Sequence, residues 1–346
     1  MKAMSSMERV LTSLQHKEPD RVPLLLSLTM HGAKMQGVSI QKYFSSPQLM
    51  AEAQVRMWKK YESDFLNSFT YSSAEVEAFG GSTIFYEDGP PNSGEPVIQA
   101  LEDIESLEPP DVQTVKSLMV TIEATRRMKA AVGEEVPILG VTISPFSLPV
   151  MQMGFENYFD LLYSDMEHFR SLMKVNTEFQ LQYANMLVEA GATAIVYFDP
   201  LSSTTIIPRA KFLETGFNIA RDAVKRMHGP IVAHFASGRI LPIVDKIIEA
   251  GFIGVSASVD EDLKILKKLA GGKLTLIGNL NGMEMPNWTA EQIDQNVRSA
   301  ISDGARGGGF VLCDNHGEIP YQVSDETIQG IADASRKYGK YPLKRT

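Results

Sequence analysis

Short apolar runs rich in β-formers recur along this chain of 346 residues, each followed by a longer stretch with helical periodicity. That alternation is the sequence signature of parallel βα units. Eight such runs stand out, at residues 22–28, 64–69, 138–143, 194–198, 230–235, 253–257, 274–279 and 309–313. Helical periodicity fills residues 50–61, 114–132, 157–190, 209–227, 241–250, 263–269 and 290–305. Gly191, Gly251 and the pair Gly271-Gly272 follow three of these stretches, where a left-handed residue ends a helix. The pattern predicts a (β/α)8 TIM barrel, with a helix before residue 22 packed against its bottom. Residues 78–111, rich in Gly and Pro, interrupt the alternation. They read as an insertion after the second strand, with a short hairpin of its own and the makings of a lid. The chain exceeds the usual domain length, but α/β barrels reach about 250 residues and more as one unit. No linker-like shift in composition divides it, so residues 1–346 are expected to form a single domain.

Composition narrows the partners. A hydrophobic fraction of 44% beside 22% charged residues is that of an ordinary globule with a sizeable core. The formal net charge of −9 argues against nucleic acid or an anionic membrane, both of which need a basic face. One cysteine, Cys313, excludes an internal disulfide and a cysteine-rich zinc module. With no signal-peptide pattern and no apolar run near the roughly 20 residues of a membrane span, the chain is expected to be cytoplasmic. Gly307-Gly308-Gly309 precede a strand rather than opening a helix, so they make no dinucleotide fingerprint.

Reactive groups in such barrels sit at the C-terminal ends of the strands. There the sequence places Met30-His31, Tyr71, Ser144, Asp199, His234, Ser256, Ser258, Asn279, Asn281, His316 and Glu318. Two of only six histidines, His234 and His316, fall at the ends of strands five and eight, and Asp199 joins them from strand four. Plainer readings stand beside these. His234 is equally a histidine satisfied by a backbone carbonyl, and Asp199 before Pro200 is equally a turn former capping Ser202-Ser203-Thr204. His316-Gly317-Glu318 also reads as a solvent loop, and Cys313 as a buried strand residue. Met30, Met151, Met153 and Phe155 offer an apolar surface near the mouth, or simply core.

Several stretches together resemble the uroporphyrinogen decarboxylase superfamily. They are Glu8-Arg9-Val10-Leu11 with Glu18-Pro19-Asp20-Arg21-Val22-Pro23, Ser144-Pro145-Phe146-Ser147-Leu148, Glu189-Ala190-Gly191-Ala192, Phe198-Asp199-Pro200, and Leu276-Ile277-Gly278-Asn279-Leu280. Gly308-Gly309-Phe310 through His316-Gly317-Glu318-Ile319-Pro320 is similar to the family's last strand and loop. The resemblance implies the barrel fold and two chemistries, porphyrinogen decarboxylation and corrinoid-linked methyl transfer. Family decarboxylases carry an arginine-rich stretch after the first strand, where this chain has Ser27-Leu28-Thr29-Met30-His31-Gly32, and an aspartate after the second, where the nearest match is Tyr71. Without those groups an octa-acid has no cations to hold it.

The methyltransferase branch resembles this chain better, through Glu77-Ala78-Phe79-Gly80 and Asp199-Pro200-Leu201-Ser202-Ser203. Its thiol-methylating members bind zinc with His-x-Cys after strand five and a cysteine after strand eight. Here those places read His234-Phe235-Ala236 and His316. The resemblance thus implies a zinc site of harder ligands, drawn from His234, His316, Glu318 and Cys313, able to polarise a methyl ether oxygen. Asp199, His316 and Tyr71 are the expected catalytic groups, and His31, Ser144, Asn279 and Met151 the expected substrate contacts. No Asp-x-His-x-x-Gly cobalt motif is present, so the corrinoid is expected on a separate carrier protein. A homodimer follows from family habit. Two other readings stay open: a metal-free decarboxylase of a smaller acid using Asp199 and His316, and a non-catalytic barrel binding a corrinoid protein or tetrapyrrole.

Overall fold

A computed structural model describes residues 3–344. Among the described residues nine strands are formed: β1 Leu66–Ser68, β2 Thr83–Ile84, β3 Asn92–Ser93, β4 Ile138–Ile143, β5 Ala194–Phe198, β6 Ile231–His234, β7 Gly254–Ser256, β8 Thr275–Leu280 and β9 Phe310–Asp314. Seven of them make one curled parallel sheet in the order β1-β4-β5-β6-β7-β8-β9. The expected eighth strand, residues 22–28, is not one. It makes a single parallel bridge, Leu24 to Leu312, with Leu25 N donating to Leu312 O at 2.9 Å and Asp64 N to Leu24 O at 2.8 Å. The segment therefore lies between β9 and β1, but side chains take the places a ladder would fill. Asp64 accepts from Leu24 N at 2.8 Å, Asn67 donates to Leu26 O at 2.9 Å, and Gln54 donates to Leu28 O at 3.0 Å. Pro23 brings no donor at all.

Helices cover the outer face. The expected helix over 157–190 is two, Phe155–Ser164 and Met166–Glu189, because Asp165 breaks the run and caps Glu167 N and His168 N at 3.2 Å. The 209–227 helix likewise divides into Arg209–Glu214 and Gly216–Arg226. After β1 come the helix Ser73–Glu77 and the antiparallel β2–β3 hairpin. Its loop is tied to the chain after β9 by Gln322 Nε2 donating to Asp88 O at 2.7 Å. Among the described residues no helix is long and apolar enough to cross a membrane.

The N-terminal helix Ser6–Leu14 is capped reciprocally by Ser5 and Glu8. Val10 and Leu14 pack with Leu25, Phe65, Leu139, Val311 and Cys313 against the inner face of the sheet. Beside them Arg9 pairs with Asp20 and Asp64 at 2.6 Å each, and Arg21 with Asp64 at 2.6 Å. The glycines Gly308 and Gly309 explain themselves here. A Cβ on Gly308 would stand 2.2 Å from Lys17 O, and one on Gly309 2.2 Å from His16 Nδ1, so the residues after the N-terminal helix can lie directly on this backbone. Removing a partner from a buried ion cluster leaves uncompensated charge, so Asp64→Ala is expected to destabilise the fold by roughly 3–5 kcal/mol. Urea denaturation measures this, and a midpoint unmoved from wild type would contradict the clamp.

Candidate functional site

The two faces of the strands differ. Outward side chains such as Ile195, Tyr197, Ala233 and Leu276 are sealed in the main core under the helices. The opposite face keeps partial exposure at Val141, Val196, Phe198, Ile277 and Asn279. The inside of the curled sheet is thus less completely filled than the outside, with an apolar wall of Val141, Val196, Phe198 and Ile277.

Asp199, directly after β5, is buried at 1% exposure. Its Oδ1 accepts from Ser144 Oγ at 2.6 Å and Ser147 Oγ at 2.7 Å, while its backbone N donates to His234 O at 2.8 Å. Burial pushes the carboxyl above its ordinary range, and the serine hydroxyls hold part of that rise back. Ser144 is therefore a partner of Asp199 and takes part in its placement. Ser147, missed in the sequence, shares that task, and the Ser144-Pro145-Phe146-Ser147 turn carried the signal.

His234 ends β6 on the inner face, with Phe198 beside it at 5.5 Å between ring centres. Its Nδ1 accepts from Ala236 N at 3.1 Å. That bond is made possible by two successive non-glycine residues in the left-handed region, Ala236 at φ 46° and Ser237 at φ 62°, a conformation found mainly where function requires it. The ring proton of neutral His234 consequently sits on Nε2, a buried atom with no partner. Burial lowers the imidazole to about 4, a fall that Asp314 opposes and His316 adds to.

Above His234 lies the loop after β9. Gly317 takes φ 93°, and a Cβ there would stand 3.1 Å from His234 Nε2. Asp314 shapes this loop, its Oδ2 accepting from His316 N at 3.0 Å and Gly317 N at 2.7 Å. His316 Nδ1 and both side-chain polar atoms of the fully buried Asn315 have no partner. Asn315 was not singled out in the sequence, where only its place beside His316 pointed to it. Glu318 is partly buried, and burial with the Asp314 carboxylate raises it to about 8, against the Met30 backbone bond that lowers it.

Other expected residues fall elsewhere. Tyr71 donates to Glu77 Oε1 at 3.2 Å and packs edge-on to Phe85, so its hydroxyl is engaged away from Asp199 and His316. His31 is buried with its ring 6.1 Å from Tyr321, and burial lowers it to about 4. Asn279 donates to Ser258 O at 3.2 Å at the edge of the inner face. Met151 lies in the helix Pro149–Met153 and packs on the main core.

The uroporphyrinogen decarboxylase (URO-D) family model matches residues 5–338. The chain belongs to that family. Among curated relatives it is 23% identical over 305 residues to a uroporphyrinogen decarboxylase of Mannheimia succiniciproducens, covering 84% of each chain. It is 24% identical over 233 residues to the methylcobamide:CoM methyltransferase MtaA of Methanosarcina barkeri, covering 66% of this chain and 67% of that one. In fold it is similar to a methyltransferase from Methanosarcina mazei, with a TM-score of 0.87 at 20% identity over 97% of this chain and 99% of that one.

The zinc that the methyltransferase resemblance implies can be tested against these atoms. Ala236 has no ligating side chain. Cys313 sits in the inner cluster beneath, its Sγ 3.5 Å from Ser27 Oγ and 3.4 Å from Asp314 Oδ1. His234 turns a protonated nitrogen toward the loop. Among the described residues no three His, Cys, Asp or Glu side chains gather as a metal-holding group. The expected set of His234, His316, Glu318 and Cys313 is therefore not assembled as a metal centre: Cys313 is turned into the inner cluster, and the Ala236 N–H occupies one ring nitrogen of His234.

Glu318 carries a pH signature. Its folded value lies above the ordinary 4.5, so its stabilising contribution is complete below 4.5 and is lost as pH rises toward about 8. Glu318→Gln is expected to flatten the decline in stability over that window. Thermal melts from pH 4 to 9 that decline equally in both proteins would refute the assignment.

Proposed function

We propose that this chain is a methyltransferase that moves a methyl group between a small neutral substrate at the strand ends and the cobalt of a corrinoid carried by a separate protein. The observation that carries this reading is the character of the mouth. His234 stands there with Gly317 of the loop that carries His316 and Glu318 against its ring and Phe198 of the apolar inner wall beside it, and these strand-end positions supply no lysine or arginine. A substrate with many carboxylates needs cations, whereas a methyl ether or thioether needs an apolar seat and a proton for its leaving atom. Support also comes from the methyltransferase relatives. We read residues 22–28 as closing the curled sheet into a barrel, and the chain as one domain.

Glu318 is the group suited to the proton. With a value near 8 it is still a carboxylic acid at neutral pH, ready to protonate the oxygen or sulfur left when its bond to the methyl carbon breaks. Solvent then restores the proton. Asp199, fixed by Ser144 and Ser147, orients the mouth through its backbone bond to His234. Zinc has no step in this scheme, because the residues present do not form its site.

Purified protein mixed with cob(I)alamin and a panel of methyl ethers and thioethers is expected to methylate the corrinoid, followed by its absorbance. Glu318→Gln is expected to lower kcat about 10²-fold. Carbon dioxide released from a small acid, with no corrinoid methylation by any donor, would replace this reading with the lyase of a smaller acid.

A further inference from the structure

Buried polar atoms in folded proteins almost always have partners, and one left without costs about 1–3 kcal/mol. Four such atoms belong to His234 and to the loop after β9 that lies against it: His234 Nε2, His316 Nδ1, and the amide oxygen and nitrogen of Asn315. His234 is 8% exposed and Asn315 fully buried. They belong to one locality, since Gly317, two residues beyond Asn315, stands against the His234 ring. Next to them the inner wall is apolar, and Phe198 lies 5.5 Å from His234.

We infer that His234 and Asn315 form a metal-independent hydrogen-bonding subsite for an uncharged ligand with an ether or carbonyl oxygen, its apolar body lying on Val141, Val196, Phe198 and Ile277. Three features set that class. The Ala236 N–H occupies Nδ1 at 3.1 Å, so His234 offers a donor and seeks an acceptor. Asn315 adds a second N–H. The wall beneath has no charge to compensate an anion. Both donors are sealed, so the ligand enters as the loop of residues 315–318 lifts, and Gly317 leaves no side chain in its path. Choosing an ether as the probe rests on the methyl-transfer reading, whereas the hydrogen-bonding geometry does not.

The test uses the full chain, treated with chelator and labelled with nitrogen-15 in histidine. The spectrum is expected to show His234 with an unprotonated Nδ1 and a protonated Nε2, unmoved by added zinc chloride. Anisole and ethylbenzene have nearly the same shape but differ in the ether oxygen. Anisole is expected to bind roughly tenfold more tightly and to shift the Nε2 signal. His234→Phe and Asn315→Leu should each bring the ratio close to parity, with His234→Gln, which keeps an N–H near the same point, retaining much of the preference. Equal binding of the two probes to wild type, or no binding of either, overturns the inference. So does uptake of one zinc per chain that His234→Gln abolishes. The wild-type measurements need no variant, so a variant that fails to fold leaves the test intact. Preference for anisole without any corrinoid methylation would sink the methyl-transfer reading alone.

Discussion

A single buried carboxylate, Asp64, holds the two ends of the sheet in register. It accepts from Arg9, Arg21, Ser6 and Leu24 N, and so joins the N-terminal helix, the bridged segment and the residues leading into β1. Two guanidinium groups and a backbone donor repay much of the cost of taking this charge from water, where one partner alone would not. Everything at the mouth depends indirectly on this clamp. Residues 22–28 have only one bridge to β9, and their course fixes where Ser27 O receives Ile319 N at 3.0 Å. That bond anchors the loop carrying His316 and Glu318.

The molecule separates its electrostatics by depth. Arginine and aspartate face each other at the closed end, an apolar cluster with Cys313 fills the middle, and at the open end lowered imidazoles and the raised Glu318 carboxyl gather round one carboxylate, Asp314. Lowered imidazoles and raised carboxyls at the mouth share one leading cause, burial, which Asp314 offsets only in part for the histidines. Such a site favours a neutral guest and penalises an anionic one, which is a selectivity that operates before any chemistry.

The parallel strands were legible because a buried strand between helices is a short continuous apolar run, and β4 and β5 have the bounds that the pattern predicts. Residues 22–28 show the limit. Their apolar content is that of a strand, but the side chains that replace their ladder, Gln54 and Asn67, lie more than twenty residues away and leave no local sign. The site divides in the same way. Positions at strand ends named His234, Asp199 and His316, since topology alone puts them there. What each atom faces was not legible: Ser147 behind Asp199, the amide of Asn315, and the turn of backbone that fixes the His234 ring. Those depend on dihedral angles and loop packing, not on residue type or spacing.

That turn bears on what a substitution at the site can achieve. With Ala236 and Ser237 both left-handed, the backbone N–H of residue 236 is committed to His234 Nδ1 whatever side chain the position carries. A cysteine placed at residue 236 would bring a sulfur without freeing the ring nitrogen, so a thiolate centre needs a different backbone there as well as a different side chain. Backbone geometry, as much as residue type, decides which chemistry this mouth can hold.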